Sequence, residues 1–205
     1  MADNTFSDLV AQVIDITDRG ESTAMIQLAI AKATLKAHLA DFWLKDMVEV
    51  KVAPGEIIGQ RIQIFLSDNV FNGFRAISYI NGYDDVTDPG NPRVMQEFVE
   101  NAPSDIRNIY GINKLDVYYL AGDVLTLLAG AIPPKFLIGF WKIPSVQAAN
   151  YKSWIAELYP PIIVDEACGE VFGSVGDDDE AKRRRDMFVS NLQFVRINSV
   201  LATGS

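Results

Sequence analysis

The side chains in this chain that could do chemistry are few and poorly assembled. There is one histidine, His38, and one cysteine, Cys168. His38 stands between Lys36 and Asp41 with no second His or Cys nearby, so a metal would need ligands from elsewhere. It reads as a surface or interface histidine. Cys168 falls on an apolar stripe and reads as a buried core thiol, since reactivity needs an adjacent base or cation. Asp165, Glu166 and Glu170 are the best candidates for paired carboxylates, with Asp84 and Asp85 behind them. Sugar hydrolysis needs two carboxyls converging on one bond. Neighbours on a helix point roughly 100° apart, so Asp165 and Glu166 diverge. Asp84, Asp85 and Asp88 lack the glycine and terminal Glu of a calcium loop. No nucleotide motif is recognisable. No catalytic, metal or cofactor site is therefore expected, and the chain reads as a builder or joiner rather than an enzyme.

One charged run, DDDEAKRRRD at 177–186, could grip phosphate or an acidic groove. It also reads as a self-paired helix start. Asp177 can cap, Glu180 sits at the third helical position, and acids stand four residues before bases. The overall balance is acidic, 27 Asp and Glu against 18 Lys and Arg. Phosphate-gripping proteins usually carry the opposite sign.

Residues 5–44 and 150–200 read as helical and roughly 46–144 as strands and turns. Thr5 with Asp8 has cap spacing, followed by Phe6, Leu9, Val10, Val13 and Ile16 at helical intervals. Asp18-Arg19-Gly20 ends that helix, and a second runs from about Ser22 to Leu44. One stripe of it holds Ala29, Ala33 and Ala37, small residues that let another helix approach closely. This seam could lie within one subunit or between two. Val48, Val50 and Val52, then Ile62, Ile64 and Leu66, alternate as half-buried strands do. A short helix is expected at Val94–Val99 and a helical turn at Ser104–Tyr110. Strands follow at Leu115–Leu120, Val124–Leu128 and Phe136–Trp141, with a hairpin at Ala121-Gly122-Asp123. Helices resume after Pro144, and the last opens at Asp177. Aromatics are dense in the β block, and those around Tyr79–Tyr83 and Tyr118–Tyr119 could dock a sugar or protein if exposed.

The expected fold class is α+β: a helical bundle built from the N- and C-terminal helices, with an inserted antiparallel β-rich block. Residues 1–45 supply the first helices, 46–145 the insertion, and 146–205 the C-terminal helices and an extended tail. No stretch has the roughly 18 unbroken apolar residues of a membrane span. The acidic start, Met1 to Asn4, is unlike a signal peptide, so synthesis in a cytoplasm is expected.

The stretches TFSDLVAQVIDITDR (5–19), KATLKAHLADFWLKD (32–46), DVYYLAGDVLTL (116–127) and YKSWIAELYPPIIVDEACGEVFGSVGDDDEAKRRRDMF (151–188) resemble the head-to-tail connector (adaptor) proteins of short-tailed bacteriophages. The likeness is one of segment order and texture over most of the chain. It implies a non-enzymatic virion structural protein in the neck between capsid and tail, forming a ring commonly of twelve subunits. The implied partners are the portal protein, tail nozzle and fibre proteins, and further copies of itself. DNA would pass through the ring without specific binding. In this reading Ala29, Ala33 and Ala37 would form the subunit interface. Arg196, Ser199, Val200 and Leu201 would reach the portal as part of a tail that orders on binding. The runner-up is a β-domain binding module of a tail or baseplate-like protein, recognising carbohydrate or a protein partner.

Overall fold

The structure, a computed structural model, describes residues 6–84, 93–106 and 114–203, apart from the side chains of residues 21, 93 and 199–203. The chain divides into two compact units, Met1–Asp46 together with Ile143–Ser205, and Met47–Lys142.

In the first unit, α1 (Phe6–Thr17) and α2 (Thr23–Leu39) are followed, after the second unit, by α3 (Trp154–Leu158), α4 (Pro160–Ser174) and α5 (Asp178–Thr203). The expected cap Thr5 lies outside the described residues. Helix α1 stops where Asp18 turns left-handed, φ 53°, a conformation Asp tolerates better than most residues. The expected run of the second helix to Leu44 is too long. It ends at Leu39, and the Trp43 indole folds back to donate to the Ala37 carbonyl at 3.0 Å, satisfying one of the orphan acceptors of the last turn. Two prolines open α4 at positions where a missing N–H costs nothing. Helix α4 is the hub, packed by α1, α2, α3 and α5. Leu9, Val13, Ile26, Ile30, Ile163, Ala167, Phe188 and Leu192 meet in one core.

In the second unit lie β1 (Met47–Val52), β2 (Glu56–Ile58), β3 (Arg61–Phe65), β4 (Phe74–Asp84), β5 (Arg93–Glu100), β6 (Val117–Ala121), β7 (Val124–Leu128) and β8 (Lys135–Lys142). Here the expected fold class is overturned. This is not an antiparallel block inserted into a helical bundle but one large, curled, mixed half-barrel of eight strands, with helices at both ends of the chain. The order is β1-β8-β4-β5-β6-β7-β3-β2. The mixed character comes from β5 and β6, which pair in parallel through Val99–Val117 and Glu100–Tyr118. A long connection rather than a tight turn separates them, and that is what parallel pairing needs. The alternation of apolar residues reveals strands but not this pairing. The sheet also closes its own core, including Ile62, Ile64, Phe98, Leu125, Leu127, Phe136, Ile138 and Phe140.

Two local expectations change with the fold. Val94–Val99 is strand, because Phe98 pairs beside Ile80 and Gln96 beside Gly82 on β4; sheet pairing overrides local preference. Where a helical turn at Ser104–Tyr110 is expected, a 3-10 turn spans Pro103–Asp105, and residues 107–110 lie outside the described residues. The hairpin at Ala121–Asp123 is present, with Ala121 paired to Val124 and Gly122 at φ 64°.

Candidate functional site

The histidine expected at the surface is buried. His38 is 2% exposed on the last turn of α2. Its Nδ1 lies 2.7 Å from Asp46 Oδ2 and its Nε2 2.9 Å from Ser153 Oγ. The Trp154 indole donates to the other Asp46 oxygen at 2.7 Å. Trp154 also stands edge-on to both His38 and Trp43, at centroid distances of 5.9 Å. A serine, a histidine and a carboxylate at these spacings have the order of a nucleophile, its base and the base's orienting acid. The surroundings argue against that use. Ser153 is 2% exposed, and its Oγ accepts the Ala156 amide at 3.1 Å as the N-cap of α3. A substrate carbonyl has no approach to it. The constellation is a satisfied polar core. It ties α2 to Asp46, where the chain leaves the helical unit, and to α3, formed after it returns. Nothing in the spacing of residues 38, 46 and 153 announces this.

The acidic candidates are also interior. Asp165 and Glu166 are both buried, and they diverge as their helical spacing requires. Asp165 accepts from Arg184 at 2.9 Å and from Asn191 at 3.2 Å, both on α5. Glu166 takes Lys36 of α2 at 2.5 Å, while its other oxygen is buried without a partner. Glu170 is shared more loosely by Lys32, at 4.0 Å, and Arg185, at 3.7 Å. These carboxylates bind α4 to its neighbours and do not face one another across a substrate-sized space. Cys168 is fully buried; burial pushes its thiol up to about 12, with the nearby Arg184 cation only partly opposing. It is an inert core residue.

The 177–186 run is a helix start. Asp177 Oδ1 accepts the Glu180 amide at 3.2 Å. Glu180 holds Arg183 at 2.6 and 2.8 Å and Arg184 at 3.0 Å. Those hydrogen bonds, Arg183's first, keep the half-buried Glu180 carboxyl below its usual range.

Ala29, Ala33 and Ala37, expected at a subunit interface, are buried in the chain's own core, where their small side chains let α4 approach. The seam is therefore internal, and it has no surface left for a neighbour. The same economy recurs at Gly169, where a Cβ would stand 3.2 Å from Arg185 and 3.3 Å from the Ala181 carbonyl. Arg196 pairs with Asp41 at 2.9 Å and donates to the Ala40 carbonyl. Ser199, Val200 and Leu201, expected in an extended tail, continue the helix α5; their side chains lie outside the described residues.

The aromatics of the sheet are largely in use. Tyr83 and Tyr118 are buried. Tyr119 accepts from Arg61 at 3.2 Å. The Tyr79 ring lies across Gly139, where any Cβ would collide, and its hydroxyl donates to Glu49. Burial and that carboxylate raise the Tyr79 hydroxyl to about 12. An open cleft of about 550 Å³ lies beside the β3–β4 connection, with Asp68, Asn69, Asn72 and Asp123 on its wall.

What remains accessible and unusual is apolar. Helix α2 turns Ile26, Ile30, Ala33 and Ala37 inward, yet its opposite side carries Leu28, Leu35 and Leu39, with Leu28 57% and Leu39 47% exposed. Helix α5 turns Ala181, Phe188, Leu192 and Val195 inward and leaves Met187, Phe194 and Ile197 outside, the last two about 60% exposed. Periodicity flags these residues as apolar, but only the fold shows which face is left over. Among the described residues, no cluster of His, Cys, Asp and Glu could hold a metal, and no helix is long and apolar enough to cross a membrane. No protein-family model matches the chain, and no curated protein matches it either.

Proposed function

We propose that the chain is a non-enzymatic structural protein of a virion, an adaptor that forms a ring between the portal of a phage capsid and its tail and continues the DNA channel. The observation that carries this reading is the surplus of apolar helix surface. The helical unit fills its core with one face each of α2 and α5 and leaves a second apolar face on both. Contiguous apolar surface on a soluble chain marks contact with another protein.

Three further points support the reading. The side chains best suited to chemistry, His38, Cys168, Asp165 and Glu166, are buried and engaged in packing the helices. The segments at 5–19, 32–46, 116–127 and 151–188 have the texture of short-tailed phage connectors. A net charge of −9 suits a channel along which DNA slides without sticking. The proposed neighbours are the portal, the tail nozzle and fibre proteins, and other copies of the chain. A carbohydrate- or protein-recognising β module is less favoured, because the tyrosines that would serve it are packed or hydrogen-bonded.

Mass measurement and electron microscopy of the protein mixed with its portal test the proposal. A ring seated on the portal is expected, and a protein that neither rings nor binds would sink it. A free monomer alone would not, since the portal can nucleate assembly.

A further inference from the structure

We propose that the outward face of α2 in one copy packs against the outward stripe of α5 in the next, so that the two leftover surfaces are halves of a single contact. This rests on the ring reading above and names its lateral interface.

The argument begins with α2. A helix with apolar stripes on two opposite faces is ordinarily one that is covered on both. Leu28, Leu35 and Leu39, spaced seven and four apart, form a continuous stripe directly opposite Ile26, Ile30, Ala33 and Ala37. Helix α5 repeats the pattern: Met187, Phe194 and Ile197, spaced seven and three, lie on a different side from Phe188, Leu192 and Val195. The stripes match in length, about 17 Å from Leu28 to Leu39 and about 15 Å from Met187 to Ile197. Both helices turn their core faces toward α4, so neither stripe can reach the other within one copy.

Charge selects the pairing. Lys32 borders the α2 stripe; its side chain is 60% exposed and meets Glu170 only at 4.0 Å. Asp179 and Asp186 border the α5 stripe and are exposed. Of the two bases near that side, Arg183 is already held by Glu180, and exposed Lys182 stands behind the acids, away from Met187. Packing α2 on α2 would bring Lys32 toward its own copy, and α5 on α5 would gather four acids; like charges so placed disfavour both. Packing α2 on α5 sets Lys32 against Asp186 and Asp179. A contact between two different faces is heterologous, and repeated heterologous contacts close into rings when the rotation allows.

The test uses full-length chains. One carries L35C and the other F194C, and a short bis-maleimide joins them while buried Cys168 stays silent. Assembled on a portal ring, the mixture is expected to give at least tenfold more cross-linked dimer than either chain alone. Equal yields from one chain alone, or a mixed yield no greater than that of an exposed control pair, would overturn the pairing. A second arm needs no cysteines: K32E and D186K should each weaken assembly on a portal ring, and the double variant should recover it. Rings that still form with no mixed cross-link would refute the pairing and leave the adaptor reading standing. No larger species in any arm, with or without the portal, would refute both.

Discussion

His38 Nδ1 lies 2.7 Å from Asp46 Oδ2, and this buried bond joins the end of α2 to the last residue of the first helical segment. Because Ser153 and Trp154 close the other sides, the histidine organises both places where the helical unit is interrupted. His38→Ala would remove a hydrogen-bond partner from both the Asp46 carboxylate and the Ser153 hydroxyl and leave a ring-sized cavity between them. A loss of about 2–4 kcal/mol is expected, read as a lower midpoint in urea with an unchanged slope. Ser153→Ala should cost less, about 1 kcal/mol, because it removes a helix cap and one acceptor. Unchanged stability on denaturation of Ser153→Ala would contradict the capping role.

Glu166 supplies a different test, since its carboxylate is buried but its partner is half exposed. Lys36→Met removes the cation and leaves a buried negative charge with one oxygen already lacking a partner. Breaking one side of such a pair costs more than replacing both. Lys36→Met should therefore destabilise by about 2 kcal/mol, whereas the double variant Lys36→Met, Glu166→Leu should return close to the parent. A double-mutant cycle by chemical denaturation measures the coupling, and a double variant worse than the single would contradict this account.

The elements that were legible in the sequence are those whose signals are local. The cap at Asp177 and the two-residue turn at Gly122-Asp123 work through neighbouring backbone groups, and both stand where the pattern put them. What was not legible depends on partners far along the chain. Arg93–Glu100 is a strand only because β4 offers it a ladder, and β5 meets β6 in parallel across a connection whose path no local rule dictates. His38 beside Lys36 and Asp41 reads as exposed, but Asp46 and Ser153, 8 and 115 residues away, supply the bonds that let it be buried. The alanine stripe illustrates the limit most clearly. Small residues at helical spacing promise a close neighbour, and the promise is the same whether that neighbour is α4 or another subunit.

Cys168 predicts an alkaline limit. Its thiol is raised from 9.0 to about 12 in the folded protein, chiefly by burial. Between those values the native state keeps the proton that the unfolded chain loses, so stability falls as pH rises through that window. Below pH 9 the contribution is fully present. Cys168→Ala should flatten the slope of stability against pH above 9, and Tyr79, also raised to about 12, should account for part of what remains. Native-state alkylation at pH 8 should proceed only at the rate of global unfolding; faster modification would mean that the α4 core opens locally.

The far end of α5 separates folding from assembly. Its last core residue among those described is Val195, and the helix continues to Thr203. Arg196 bonds to Asp41, but both side chains are nearly half exposed, so the pair contributes less than about 1 kcal/mol. Removing residues 199–205 takes away no described core side chain. The midpoint of denaturation should hold to within about 0.5 kcal/mol. If this end of the helix is the part that engages the portal, the truncated protein should be retained on immobilised portal at least tenfold less than the full chain. Equal retention would move the portal contact elsewhere on the molecule, and a large loss of stability would show that the last turns belong to the fold.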